Sequence, residues 1–193
     1  MNQPMETYIP STEELEAELQ RERRSSRLRK VLGSTIGVLA VVSAVAVLVA
    51  TLLMPVLRIY GDSMTNTLFD GDVVVSVSSD SLDTGDVVAF YYNNQILVKR
   101  VIANPGDWVD ITKDGEVLVN GELLDEPYVT EPSRGNCNIE LPYQVPESRV
   151  FVMGDHRSVS IDSRNSAVGC VADDQIVGKL VFRIWPLDGF GTL

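Results

Sequence analysis

A run of 24 uncharged residues from Val31 to Met54, VLGSTIGVLAVVSAVAVLVATLLM, constrains this chain more than any other feature. At about 1.5 Å of rise per helical residue it reaches about 36 Å, against a bilayer hydrocarbon core of about 30 Å, so it can span with some tilt. The apolar stretch of a cleaved secretory signal runs only about 7 to 15 residues. This one is longer and follows a 30-residue leader, which favours an uncleaved anchor. Arg21, Arg23, Arg24, Arg27, Arg29 and Lys30 crowd the residues before it, and the positive-inside rule keeps such a cluster in the cytoplasm. The expected organisation is a cytoplasmic tail (1–30), a single membrane helix (31–54) and an extracytoplasmic domain (55–193), in the cell membrane with the N-terminus cytoplasmic.

The tail carries six basic and six acidic groups, so the whole net charge of −11 falls on the residues beyond it, ten basic against 21 acidic. A surface of that sign repels polyanions and excludes nucleic acid as a partner of the domain. The basic run beside the span is read as an orientation signal and a contact for anionic headgroups of the lipid bilayer. The 139 residues from Pro55 onward suffice for one folded core and not comfortably for two. Cys137 and Cys170 both fall there, where disulfides persist. They are either a bridge closing a loop of about 32 residues, worth on the order of 3 kcal/mol, or two buried thiols. Two cysteines, one histidine and no paired ligand spacing argue against a metal site.

Residues 1–10 read as disordered. Ser11 to Lys30 opens with a capping box (Ser11, Glu14) and is rich in Glu, Leu and Arg, as in a short helix. After the apolar run the pattern changes to short β-branched and aromatic stretches, predicting strands at Val56–Tyr60, Asp72–Ser78, Asp86–Tyr92, Ile96–Ala103, Trp108–Thr112, Glu116–Asn120, Arg149–Met153 and Gln175–Trp185. Asp70-Gly71, Asn93-Asn94, Pro105-Gly106, Asp114-Gly115 and Asn120-Gly121 between them supply hairpin turns. The fold class is therefore mostly β and antiparallel, with an irregular, proline-rich excursion over residues 121–148.

Chemistry is constrained by the single histidine, His156, since a Ser-His-Asp triad would have to be built around it alone; neither GxSxG nor HExxH occurs. Lysine can replace histidine as general base when burial lowers its pKa, because the neutral amine accepts a proton from serine. Of the four lysines, Lys99 is the one set in an apolar strand, Ile96-Leu97-Val98-Lys99-Arg100-Val101-Ile102, where it shares a face with Leu97 and Val101 while Arg100 points the other way. Taken singly, Lys99 is a charge guarding an edge strand, and Ser63, nine residues past Met54, is a turn residue.

Taken together the pieces read differently. Gly61-Asp62-Ser63-Met64-Thr65-Asn66-Thr67-Leu68, Gly85-Asp86-Val87-Val88-Ala89-Phe90, Lys99 to Asp107 (KRVIANPGD) and Gly154 to Arg164 (GDHRSVSIDSR), in that order after a spanning helix, resemble type I signal peptidases over about residues 30 to 185. The resemblance implies a Ser/Lys dyad with Ser63 as nucleophile and Lys99 as general base. It further implies that Ser160 hydrogen-bonds and orients the lysine and that Asp162 and Arg164 brace the site, leaving Ser158 and Ser163 as solvated turn residues. It implies no cofactor. The Ser63 N–H is one oxyanion donor, whereas the serine that some relatives carry two residues before the nucleophile is here Gly61. Asn66 stands where many relatives have proline, and His156, read as a structural turn residue, stands where many have asparagine.

The implied partners are signal peptides of exported preproteins, cleaved after small-x-small sites, with the secretion translocon nearby. By resemblance the substrate lies extended beside the strands before Ser63 and around Lys99. Ile59, Met64, Leu68, Leu97 and Val98 then line shallow apolar pockets. Rival readings are a processing peptidase for a narrow set such as pilin precursors, and a non-catalytic membrane-anchored binding domain. A self-cleaving repressor would need a DNA-binding module that the net-neutral tail cannot supply.

Overall fold

The computed structural model describes residues 12, 29, 32–48, 54–79 and 81–193, in two units over Met1–Ala50 and Thr51–Leu193. In the first unit residues 32–48 form a helix whose side chains are exposed along its length. No helix among the described residues is long and apolar enough to cross a membrane. Within the expected span over 31–54, residues 32–48 are helical, while Val31 and residues 49–53 lie outside the described residues. So do the tail's residues 1–10 and its expected helix over Ser11 to Lys30, save for Thr12 and Arg29, both helical.

Every strand pairing among the described residues of the second unit is antiparallel. Its larger sheet is built from β1 (Val56–Arg58), β2 (Val73–Val77), β3 (Val87–Tyr92), β4 (Gln95–Ala103), β9 (Arg149–Met153), β10 (Val171–Ala172), β11 (Ile176–Trp185) and β12 (Gly191–Thr192). Spatial order is β1-β2-β11-β3-β4-β9-β10, with β12 on β11. A smaller sheet orders β7 (Glu122–Leu123), β6 (Val117–Val119), β5 (Trp108–Ile111) and β8 (Tyr143–Gln144). All eight expected strands form within two residues of their expected bounds. The four unforeseen ones, β7, β8, β10 and β12, have two residues each, too few for alternation to show.

Turn chemistry sets the register that matters for the site. Asn93 and Asn94 both adopt positive φ (46° and 63°), the geometry of a two-residue hairpin turn whose twist matches that of the strands. That turn pairs Val88 with Lys99 and Val87 with Arg100. Period-2 alternation then sorts β4 between two cores. Val98 packs against Ile59, Met64, Leu68, Val87 and Leu180, while Leu97 and Val101 pack with Val88, Phe90 and Val152. A third cluster around Ile102, Val109, Ile111 and Phe151 joins the two sheets.

Cys137 and Cys170 are both free, so the bridge is not formed. Cys170 belongs to the third core cluster, where it acts as a small apolar group, and burial pushes its thiol up to about 11. Cys137 lies on the 121–148 excursion, its N–H bound to Gly135 O at 3.0 Å. Unfolding the unreduced chain in denaturant is expected to release two titratable thiols; none would show that the pair is bridged.

Candidate active site

Ser63 follows β1 in a tight turn. Gly61 takes a left-handed φ of +84° and donates its N–H to Asp70 Oδ1 at 2.9 Å. Met64 and Leu68, at 2% and 0% exposure, anchor the turn in the core, and Leu68 N–H returns to Met64 O at 2.8 Å. Ser63 itself is half-buried, and its N–H donates to no group among the described residues. A rigid turn therefore offers one hydroxyl and one unused amide hydrogen.

The Lys99 side chain meets that hydroxyl. Its Nζ lies 2.6 Å from Ser63 Oγ and 3.0 Å from Val98 O, and the residue is 3% exposed. Burial lowers its pKa from 10.5 to about 8, because an ammonium loses its hydration there while the neutral amine loses little. Asp162 and Asp155 oppose that shift and Arg164 reinforces it. As an ammonium the lysine donates to Ser63 Oγ; as a neutral amine it accepts the serine proton.

The loop after β9 packs against both groups. Asp162 is fully buried and accepts from Gly154 N–H at 2.9 Å and from Arg164 Nε and Nη2, each at 2.8 Å. Arg164 spends its remaining donors on the carbonyls of Ser133, Arg134 and Arg157. Ser160 is buried with its hydroxyl unpartnered, so the expected hydrogen bond to Lys99 is not formed. Ser158 is exposed as expected. Ser163 is not a solvated turn residue: at 1% exposure it pairs with β9, its Oγ accepting from Val152 N–H at 2.9 Å and its N–H reaching Val152 O at 3.1 Å.

Gly154 is a site residue that motif reading passes over. A Cβ there would lie 2.3 Å from Ser160 Oγ and 2.5 Å from Ser63 O, so only glycine lets the two loops touch. Arg100 is the other. It forms a two-pronged pair with Asp155 (2.9 and 2.7 Å), donates to Gly85 O and Thr67 Oγ1, and stacks 3.9 Å from the Tyr128 ring. Arg157 pairs with Glu126, which also accepts from the Tyr128 hydroxyl at 3.0 Å. The signal for Arg100 was its strand: adjacent Lys99 and Arg100 on opposite faces require a counter-ion for whichever is buried.

A cavity of about 550 Å³ opens beside Ser63 and Lys99, walled by Leu57 to Gly61 on one side and Gln95 to Val98 on the other. β1 pairs only with β2, and β9 joins β4 only from Arg100 onward, so each wall presents an unpaired strand edge. Ile59, Met64, Leu97 and Val98 line it as expected. Leu68 does not, because it is consumed by the core beneath. His156 is joined to the Ser63 turn: its N–H donates to Ser63 O at 3.1 Å and its Nδ1 meets Asp62 O at 3.2 Å. Among the described residues no cluster of three His, Cys, Asp or Glu is placed to hold a metal ion.

Residues 32–185 match the family model "Signal peptidase, peptidase S26". Signal peptidase IB of Staphylococcus aureus is 37% identical over 183 residues, spanning 84% of this chain and 94% of that relative. Thylakoidal processing peptidase 1 of Arabidopsis thaliana chloroplasts is 36% identical over 64% of this chain and 40% of its own. A crystal structure of a signal peptidase I from Enterococcus faecalis V583 is 28% identical and covers 53% of this chain and 99% of that chain, at a TM-score of 0.44. The chain belongs to the signal peptidase family S26 and is a type I signal peptidase, a serine peptidase that removes signal peptides.

A lysine whose folded pKa lies below its unfolded value binds fewer protons when native, so its destabilising effect is complete below about pH 8 and fades as pH rises to 10.5. Lys99→Met is therefore expected to raise stability at pH 7 by on the order of 3 kcal/mol, with the gain shrinking above pH 8 in urea melts. Gly154→Ala is expected to lower kcat/KM for a peptide substrate by about 100-fold or more, since displacements of about 1 Å at a reacting group cost that much.

Proposed function

We propose that this chain is a membrane-anchored endopeptidase that removes N-terminal signal peptides from exported preproteins after small-x-small sites, with Ser63 as nucleophile and Lys99 as general base. The observation that carries the reading is the 2.6 Å contact between the Ser63 hydroxyl and a lysine whose burial brings its pKa to about 8. Neutral Lys99 takes the Ser63 proton as Oγ attacks the scissile carbonyl, then gives it to the leaving amine. Lys99, neutral again, next takes a proton from a water as that water attacks the acyl carbonyl, and returns it to Ser63 Oγ as the ester bond breaks. The Ser63 N–H receives the developing oxyanion.

Ser160, Asp162 and Arg164 act through position. Asp162 and Arg164 hold the 154–164 loop, and through it Gly154 and Ser160, against the dyad. The substrate adds as a strand between the open edges of β1 and β4, where Ile59, Met64, Leu97 and Val98 leave room for small side chains and exclude large ones. Residues 31–54 anchor the enzyme in the cell membrane, with residues 1–30 cytoplasmic and 55–193 outside, near the translocon that delivers preproteins. That topology brings a signal peptide's cleavage site, which follows its own apolar segment, to the tethered serine.

The test is cleavage of a preprotein with an Ala-x-Ala site by the detergent-solubilised chain, with the product N-terminus sequenced. Ser63→Ala and Lys99→Ala are each expected to lower kcat by at least about a thousandfold, and the parent to cut after the −1 alanine. Full activity in Lys99→Ala would overturn the base assignment; cutting elsewhere would overturn the specificity.

A further inference from the structure

A single backbone donor is a thin oxyanion site, and Gly61 contributes no hydroxyl beside it. The geometry around Ser63 shows where the deficit is made up. The Ser63 N–H belongs to the same peptide group as Asp62 C=O, and that oxygen is crowded with donors: Thr65 Oγ1 at 2.6 Å, Thr65 N–H at 3.1 Å and His156 Nδ1 at 3.2 Å. A carbonyl oxygen only accepts, so the His156 contact requires hydrogen on Nδ1. His156 also holds the next peptide group, its own N–H reaching Ser63 O at 3.1 Å. Both peptide planes flanking the nucleophile are thus held by one residue.

Resting on the reading of Ser63 N–H as oxyanion donor, we propose that Thr65 and His156 are positioning residues that aim and polarise the Asp62–Ser63 peptide group. Hydrogen bonds to a carbonyl draw electron density through the amide and make its N–H a stronger donor, as in any hydrogen-bonded chain. They also preorganise it: turning the Ser63 N–H away from the reacting carbon would break the bonds to Thr65 and His156 together, so little reorganisation is left to the moment of reaction. His156 is a structural turn residue, as its sequence context implies, with a consequence for the chemistry at the serine whose flanking peptide groups it holds. The asparagine that many relatives carry at this position also has an N–H donor and can serve the same carbonyl.

The full chain tests this with Thr65→Val and His156→Ala, and with the donor-restoring variants Thr65→Ser and His156→Asn. Three quantities are read: kcat and KM for a preprotein peptide, the Ki of a peptide aldehyde with the same small-x-small residues, and the Kd of the matching peptide alcohol. With the aldehyde, Ser63 Oγ bonds to the carbonyl carbon, the C=O pair moves onto oxygen, and the serine proton passes to Lys99, which reproduces the oxyanion. The alcohol occupies the same cleft without forming it.

Each donor-deleting variant is expected to lose about fivefold in kcat and in aldehyde affinity alike, the factor for one ordinary hydrogen bond. KM and alcohol affinity stay at parental values, and Ser and Asn restore activity. Aldehyde affinity unchanged in both deletions overturns the inference. So does a parallel loss of alcohol and aldehyde affinity, which marks general damage to the cleft. Failure of the underlying site reading is seen separately, as cleavage that survives Ser63→Ala.

Discussion

Desolvation of one ammonium group organises the rest of this molecule. Lys99 sits at 3% exposure in the middle of an antiparallel sheet, where the charged form loses most of its hydration. Left alone, such a lysine would either swing toward solvent or titrate in place. The hairpin register opposite Val88 and the contact of its Nζ with the Ser63 hydroxyl block the first course. It therefore titrates, and a group that is ordinarily a poor base near neutrality becomes a usable one.

That outcome depends on how the neighbouring carboxylates are handled. Asp155 and Asp162 both favour the ammonium, and unpaired they would push the lysine back toward its ordinary value. Each is instead committed to an arginine, Asp155 to Arg100 and Asp162 to Arg164, through paired contacts of 2.7 to 2.9 Å. Arg157 is likewise paired with Glu126. These buried pairs cost desolvation and contribute little to stability by themselves. Their effect is to hold the loops at 61–68, 126–134 and 154–164 in register while limiting the field at Lys99. Tyr128 joins two of the pairs, stacked on Arg100 and bonded to Glu126.

Local pattern revealed much of this. The alternation in Ile96 to Ile102 located Lys99 and placed it opposite to Arg100, and Asn93-Asn94 marked the turn that sets the register, whereas Ser63 read as a turn residue until the resemblance of Gly61 to Leu68 was taken with the other motifs. What stayed hidden depends on distance along the chain. Asp155 lies 55 positions from Arg100, and Glu126 is 31 from Arg157, so no periodicity links them. Gly154 is one glycine among 14 until the contact with Ser160 and Ser63 is seen. Leu68 and Ser163 were misread for a related reason, since pocket wall, turn and core differ only in what the rest of the chain packs against them.

The central proposal is that burial, acting at Lys99, makes the base. The direct measurement is an NMR titration of the Lys99 side-chain Cε and Nζ shifts in the folded Ser63→Ala chain, which removes the proposed nucleophile without removing the lysine. A midpoint near 8 is the predicted result. A midpoint at 10.5, the ordinary lysine value, would contradict it and leave Lys99 charged and unable to accept the serine proton at neutral pH.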